Sequence, residues 1–68
     1  MITIYYDYRV KAGEWRRGYK EFYDVEKAIR FIYSLKRKKD SCFITGVECE
    51  YQEDDEYITQ RVKGSVVG

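Results

Sequence analysis

Residues 24 to 39, DVEKAIRFIYSLKRKK, hold the strongest periodic pattern in the chain, and that pattern limits the fold to one that covers a single apolar stripe. At about 100° per residue, Val25, Ala28, Ile29, Ile32 and Leu35 share one side of a helix, with Phe31 and Tyr33 flanking them. Glu26, Lys27, Arg30, Ser34 and Arg37 fall opposite. Asp24 suits the N-cap, where a short carboxylate accepts from free backbone N–H groups and faces the positive end of the helix dipole. Glu26 and Arg30 are spaced for a favourable pair one turn apart. Lys36, Arg37, Lys38 and Lys39 suit the last carbonyls, and Asp40-Ser41 ends the pattern. A lone helix of about four turns is marginal in water, so the flanking segments must supply the surface it packs on.

Those segments read as strands. In ITIYYDYRVK, residues 2 to 11, Ile2, Ile4, Tyr6, Tyr8 and Val10 alternate with Thr3, Tyr5, Asp7, Arg9 and Lys11, the signature of a half-buried strand. Ala12-Gly13 offers a tight turn, and a second strand is expected from Glu14 to Phe22. Setting Val10 against Trp15 brings Tyr6 opposite Tyr19 and Tyr8 opposite Arg17, and turns Trp15 and Tyr19 inward. After the helix, Cys42 to Tyr51 reads as a third strand. Phe43, Thr45, Val47, Cys49 and Tyr51 then face inward and Ile44 outward, unless Gly46 marks a bulge that reassigns the first half. Residues 52 to 55 read as a turn and 56 to 63 as a fourth strand. The alternative for that last segment is a short helix, with Asp55 as cap, Ile58 and Val62 one turn apart and Gly64 as stop.

The expected fold is therefore α+β, a ββαββ domain over residues 1 to 63 with a flexible tail at 64 to 68. A right-handed crossover gives a four-stranded antiparallel sheet of order 2-1-3-4, with the helix on one face and the other face open.

Sixty-eight residues make one domain near the lower size limit for a single apolar core, so most apolar residues are needed inside. The chain has no histidine, which removes the usual general base and nitrogen metal ligand, and no Gly-rich phosphate loop is present. Glu48 and Glu50 on one strand face are the best carboxylate pair, but nothing builds a pocket around them, and an enzyme is not expected. No metal site or cofactor is expected either: residues 48 to 56 lack the ligand spacing and central glycine of a calcium loop. Cys42 and Cys49, seven apart on one strand, are too far apart to bridge and are expected as free thiols in a reducing compartment. With no signal-like start and no apolar run of spanning length, the expected location is the cytoplasm.

Three features are candidates for function. The first is the open sheet face, expected to carry Tyr5, Arg9, Lys11, Arg16, Lys20, Phe22 and Ile44: aromatic and apolar groups edged by positive charge. Such a surface is either an ordinary solvated sheet face with scattered apolar residues or one that fits a protein partner or a homodimer, and less readily a nucleic acid stacked on rings and tracked by cations. The second is charge segregation. Residues 1 to 39 hold eleven basic and five acidic residues, residues 40 to 68 two and seven, so the parts carry +6 and −5 against a total of +1. The acidic run Glu53, Asp54, Asp55 and Glu56 could dock on a basic protein, or simply be solvated. The third is the basic helix end, Lys36 to Lys39, whose main role is dipole complementarity and whose alternative is a phosphate contact.

The stretch GYKEFYDVEKAIRFIYSLKRKK, residues 18 to 39, within a short, proline-free chain rich in Lys, Tyr, Ile and Glu, resembles small accessory proteins of phages and prophages of Gram-positive bacteria. The resemblance implies a non-enzymatic module that binds a host or phage macromolecule, in some cases as an inhibitor or regulator. It implies no site residues.

Overall fold

The structure is a computed structural model, and it describes residues 1–50 and 55–67, with the side chains of residues 55 and 56 left aside. The element order is β1 (Ile2–Arg9), β2 (Trp15–Phe22), α1 (Val25–Arg37), β3 (Cys42–Cys49) and α2 (Asp55–Val67). The strands form an antiparallel sheet of order β2-β1-β3, as expected for the first three strands. The fold is α+β, but it is ββαβα rather than ββαββ: the segment read as a fourth strand is a helix.

α1 forms as its pattern dictates. Asp24 accepts from the backbone N–H of Glu26 at 2.8 Å and of Lys27 at 3.3 Å, and Ala28, Ile32 and Leu35 are buried. They pack on Ile2 and Ile4 of β1, and Val62 of α2 completes the core. Fully burying one aliphatic side chain of this kind contributes roughly 1.5–3 kcal/mol. Glu26 is taken up by Arg61 of α2, in a short ion pair of 2.6 Å, rather than serving Arg30.

α2 packs against α1 and β3 on the same side of the sheet. Val62 and Ser65 are buried, Ile58 and Val66 lie against the core, and Ser65 returns its hydroxyl to the Arg61 carbonyl at 3.0 Å. Lys36 Nζ donates to the Ser65 carbonyl at 3.0 Å and ties the two helices together. The helix continues through Gly64 to Val67, where a loose tail was expected. The expected turn at residues 52 to 55 lies largely outside the described residues, and Asp55 begins α2.

The first hairpin corrects the expected register by one residue. Val10 N–H donates to the Glu14 carbonyl and Gly13 N–H to the Val10 carbonyl, both at 2.9 Å, which closes the loop Lys11-Ala12-Gly13. Gly13 has φ +85°, the left-handed conformation that a three-residue hairpin loop needs at its last position. Loop length then sets the pairing: Arg9 faces Trp15, Tyr8 faces Arg16, Tyr6 faces Gly18 and Tyr5 faces Tyr19. Because side chains alternate, the one-residue shift puts Trp15, Arg17, Tyr19 and Glu21 on the face away from the helices, and Arg16, Lys20 and Phe22 on the helical side.

β3 carries the bulge that its glycine suggested. The register slips between Tyr5 and Tyr6, leaving Thr45 unmatched between Ile44 and Gly46. Cys42, Ile44, Val47 and Cys49 accordingly lie against the core, and Phe43 turns to the open face, the reverse of the regular-strand expectation for that half. Both cysteines are free and half-buried.

Candidate functional site: the open sheet face

Among the described residues no element covers the second face of the sheet. The register arranges that face in four rows across β2, β1 and β3: Glu21, Thr3 and Glu48; Tyr19, Tyr5 and Gly46; Arg17, Asp7 and Phe43; and Trp15 beside Arg9. Acidic groups lie at one end, tyrosines follow, and the arginines and two large rings lie at the hairpin end.

The rings form two linked pairs. Trp15 reaches from β2 across β1 and stacks on Phe43 of β3, centroids 5.2 Å apart and planes at 28°. Tyr5 and Tyr19 lie 6.2 Å apart and tilted. Such pairs contribute about 0.5–1.5 kcal/mol beyond area burial. They do not hide their members: Trp15 is 46% exposed, Phe43 55% and Tyr19 62%. The Arg9 guanidinium lies 6.0 Å from the Trp15 ring centroid, at the outer limit of a cation–π contact.

Polar contacts tie the rows together. Tyr5 Oη donates to Glu48 Oε2 at 3.3 Å. Partial burial on the face raises the Tyr5 phenol above its ordinary value, and the charge and hydrogen bond of Glu48, with the charges of Glu21 and Glu50, push the same way. Arg17 Nε lies 3.9 Å from Asp7 Oδ1, a long contact from an exposed guanidinium that carries little energetic weight. That oxygen is buried and has no hydrogen-bond partner among the described residues. Beside it the face dips into a hollow of about 310 Å³ lined by Tyr5, Tyr6, Arg17, Gly18, Thr45 and Gly46.

Of the residues expected on this face, Tyr5 and Arg9 are there. Arg16, Lys20, Phe22 and Ile44 are not, because the hairpin register and the β3 bulge turn them to the helical side. Lys20 Nζ sits 5.3 Å from the Phe31 ring centroid and 5.7 Å from that of Phe22, and Arg16 lies 4.0 Å from Glu14. Phe22 and Ile44 pack against the core. Lys11 is exposed in the hairpin loop. Glu53 and Asp54 of the expected acidic hairpin lie outside the described residues, and Asp55 and Glu56 start α2. The basic helix end does approach the face. Arg9 N–H donates to the Ser41 carbonyl at 2.8 Å, and Cys42 N–H donates to the Lys38 carbonyl at 2.8 Å, which sets the lysine-bearing turn beside the Trp15–Phe43 end.

Trp15, Arg17, Tyr19 and Phe43 complete the face and were missed. The available signal was the loop itself: with Gly13 read as the third residue of a three-residue loop, the alternation delivers Trp15 and Tyr19 to the open side.

No cluster of three or more metal-ligating side chains occurs among the described residues, and no described helix is long and apolar enough to cross a membrane. No family model, curated relative or solved structure matches the chain.

Proposed function

We propose that the chain is a small non-enzymatic, cytoplasmic protein-binding module, of the kind a phage or mobile element encodes to inhibit or regulate another protein, working through its open sheet face. The observation that carries this reading is the exposed Trp15–Phe43 stack between Arg9 and the Tyr5–Tyr19 pair. Tryptophan, tyrosine and arginine are the residue types that dominate binding energy at protein interfaces, and on a rigid sheet they are already positioned. The absence of histidine supports binding over catalysis, and two free thiols fit a reducing compartment.

The test is capture of partners from a Gram-positive host lysate by the wild-type chain and by Trp15→Ala with Tyr5→Ala. A protein retained by the wild type and lost from the folded variant is the expected result. Equal retention by both would contradict the reading.

A second reading has one specific observation behind it: the turn carrying Lys38 and Lys39 is hydrogen-bonded to Arg9, next to exposed rings that a base could stack on. On that reading short single-stranded oligonucleotides bind, affinity falls as salt rises, and Lys38→Ala with Lys39→Ala lowers both affinity and salt slope. Binding that is insensitive to salt would remove it.

A further inference from the structure

The four rows of the open face differ in charge in a way that makes the face complementary to itself. At one end Glu21 and Glu48 flank Thr3; at the other Arg17, Arg9 and Trp15 gather around Asp7. The acidic end is a real concentration of charge, since Glu48, Glu21 and Glu50 all act on Tyr5. The net charge is only +1, so two copies meet little overall repulsion.

We propose that the partner of this face is a second copy of the same chain, packed sheet to sheet about a twofold axis that lies in the interface, perpendicular to the strands and over Tyr6. This rests on the reading of the open face as a protein interface and names its occupant. Such an axis reverses strand direction and keeps β2 over β2, β1 over β1 and β3 over β3. The row of Thr3 then meets the row of Arg9, and the row of Tyr5 meets the row of Asp7. Arg9 of each copy falls between Glu21 and Glu48 of the other. Tyr19 meets Arg17, and Tyr5 meets Asp7.

The shape fits as well as the charge. Gly46 has no side chain, and the hollow above it faces the exposed Phe43 of the second copy, ring into recess. Because the axis is twofold, each contact occurs twice and the assembly closes at two copies. Aligned sheets of this kind pack with strand directions about 30° apart, a tilt the short strands accommodate. The face is small, so the dimer is reversible, and its ionic contacts make it weaken as salt rises.

The glycine supplies a variant that leaves the fold alone. A Cβ on Gly46 meets nothing nearer than Tyr5 Cδ2 at 3.9 Å, ordinary van der Waals contact, and its φ is not in the left-handed region. Gly46→Val therefore puts a branched side chain into the recess from a backbone position that accepts a Cβ, and valine suits a strand. The experiment is sedimentation velocity of the full chain over a concentration series at low and high salt. Four samples are run: wild type, Gly46→Val, the pair Glu21→Lys with Glu48→Lys, and the pair Arg9→Glu with Arg17→Glu. The wild type should shift from monomer to dimer as concentration rises. Gly46→Val and each charge-reversed protein alone should dissociate at least about tenfold more readily, a difference of about 1.4 kcal/mol. Mixing the two charge-reversed proteins in equal amounts should restore the dimer as a heterodimer, because the residue at position 9 of each copy again faces opposite charges at positions 21 and 48 of the other.

A wild type that stays monomeric throughout overturns the proposal, as does a dimer indifferent to both charge reversal and Gly46→Val. In either case, a lysate protein whose capture depends on Trp15 and Tyr5 leaves the open face standing as an interface for a different protein. A failure of that capture as well removes the reading itself.

Discussion

Two glycines on the outer strands decide how the rings of β1 are used. Gly18 faces Tyr6 on the helical side, and a Cβ there would come within 3.0 Å of the Tyr6 ring. That ring lies edge-on to Phe31, centroids 5.6 Å apart, so it cannot move without disturbing the core margin. Gly18→Ala should therefore destabilise the fold by about 1–3 kcal/mol, read as a lower urea midpoint, although alanine in place of glycine in an open strand position would be neutral or better. Gly46 has the opposite character, with room above it, and its replacement by valine should leave the midpoint unchanged or raised. Tyr5 adds a pH signature. Its phenol titrates above the usual value near 10, so the folded state holds this proton more tightly than the unfolded chain does. The resulting stability is fully present below the unfolded value and is lost as pH rises through the folded one. Tyr5→Phe should flatten the fall in stability above about pH 10, seen by denaturant titration across that range. An unchanged slope would mean that neither partial burial nor the acidic row raises the Tyr5 phenol. At this scale the sequence revealed the alternation of β1 and the cap at Asp24. It did not reveal which β2 residues share a face with Tyr5, because that depends on a loop one residue longer than the two-residue turn the register assumed.

Among the elements, α1 was the easiest to read and α2 the hardest. In α1 a full apolar stripe, an acidic cap and a basic end agree, and the helix forms where all three point. In α2 the signals conflict. Tyr57, Ile58, Thr59 and Val62 favour strands, and Gly64 marks a stop, so local preference argues against the helix that tertiary packing imposes. What decides it is Val62 and Ser65 inserted between α1 and β3, with Arg61 holding Glu26. Two outcomes follow. Nothing lies within 4 Å of a Cβ added at Gly64, so Gly64→Ala should raise stability by about 0.5–1 kcal/mol, as expected for an open position inside a helix. No gain would indicate that residues 64 to 67 are not helical in solution. Val62→Ala should cost about 2 kcal/mol and reduce helix content by circular dichroism, because α2 depends on that contact for docking. The bulge in β3 was legible as an option from Gly46, and the structure selects it because it places Ile44 under the helices and Phe43 on Trp15.

For the molecule as a whole, the segregation of charge along the chain becomes a segregation across one sheet face, though not by the division the sequence suggested. Strand pairing brings Glu21 from the basic half of the chain into one row with Glu48 from the acidic half, on either side of Thr3, and sets Arg9 and Arg17 at the other end. That one face would be left open was readable from a single amphipathic stripe facing strands with two sides. That the open face would hold a linked set of rings between opposite charges was not, since it required the hairpin register and the bulge together. For this face as the proposed working surface the chain carries its own probe, since Trp15 is the single tryptophan. The most direct measurement is acrylamide quenching of Trp15 fluorescence as protein concentration, or a captured partner, is increased, with association followed in parallel by light scattering. Quenching should fall and emission should move to shorter wavelength in step with association. Association that proceeds while Trp15 stays as accessible as in the monomer would place the working surface elsewhere.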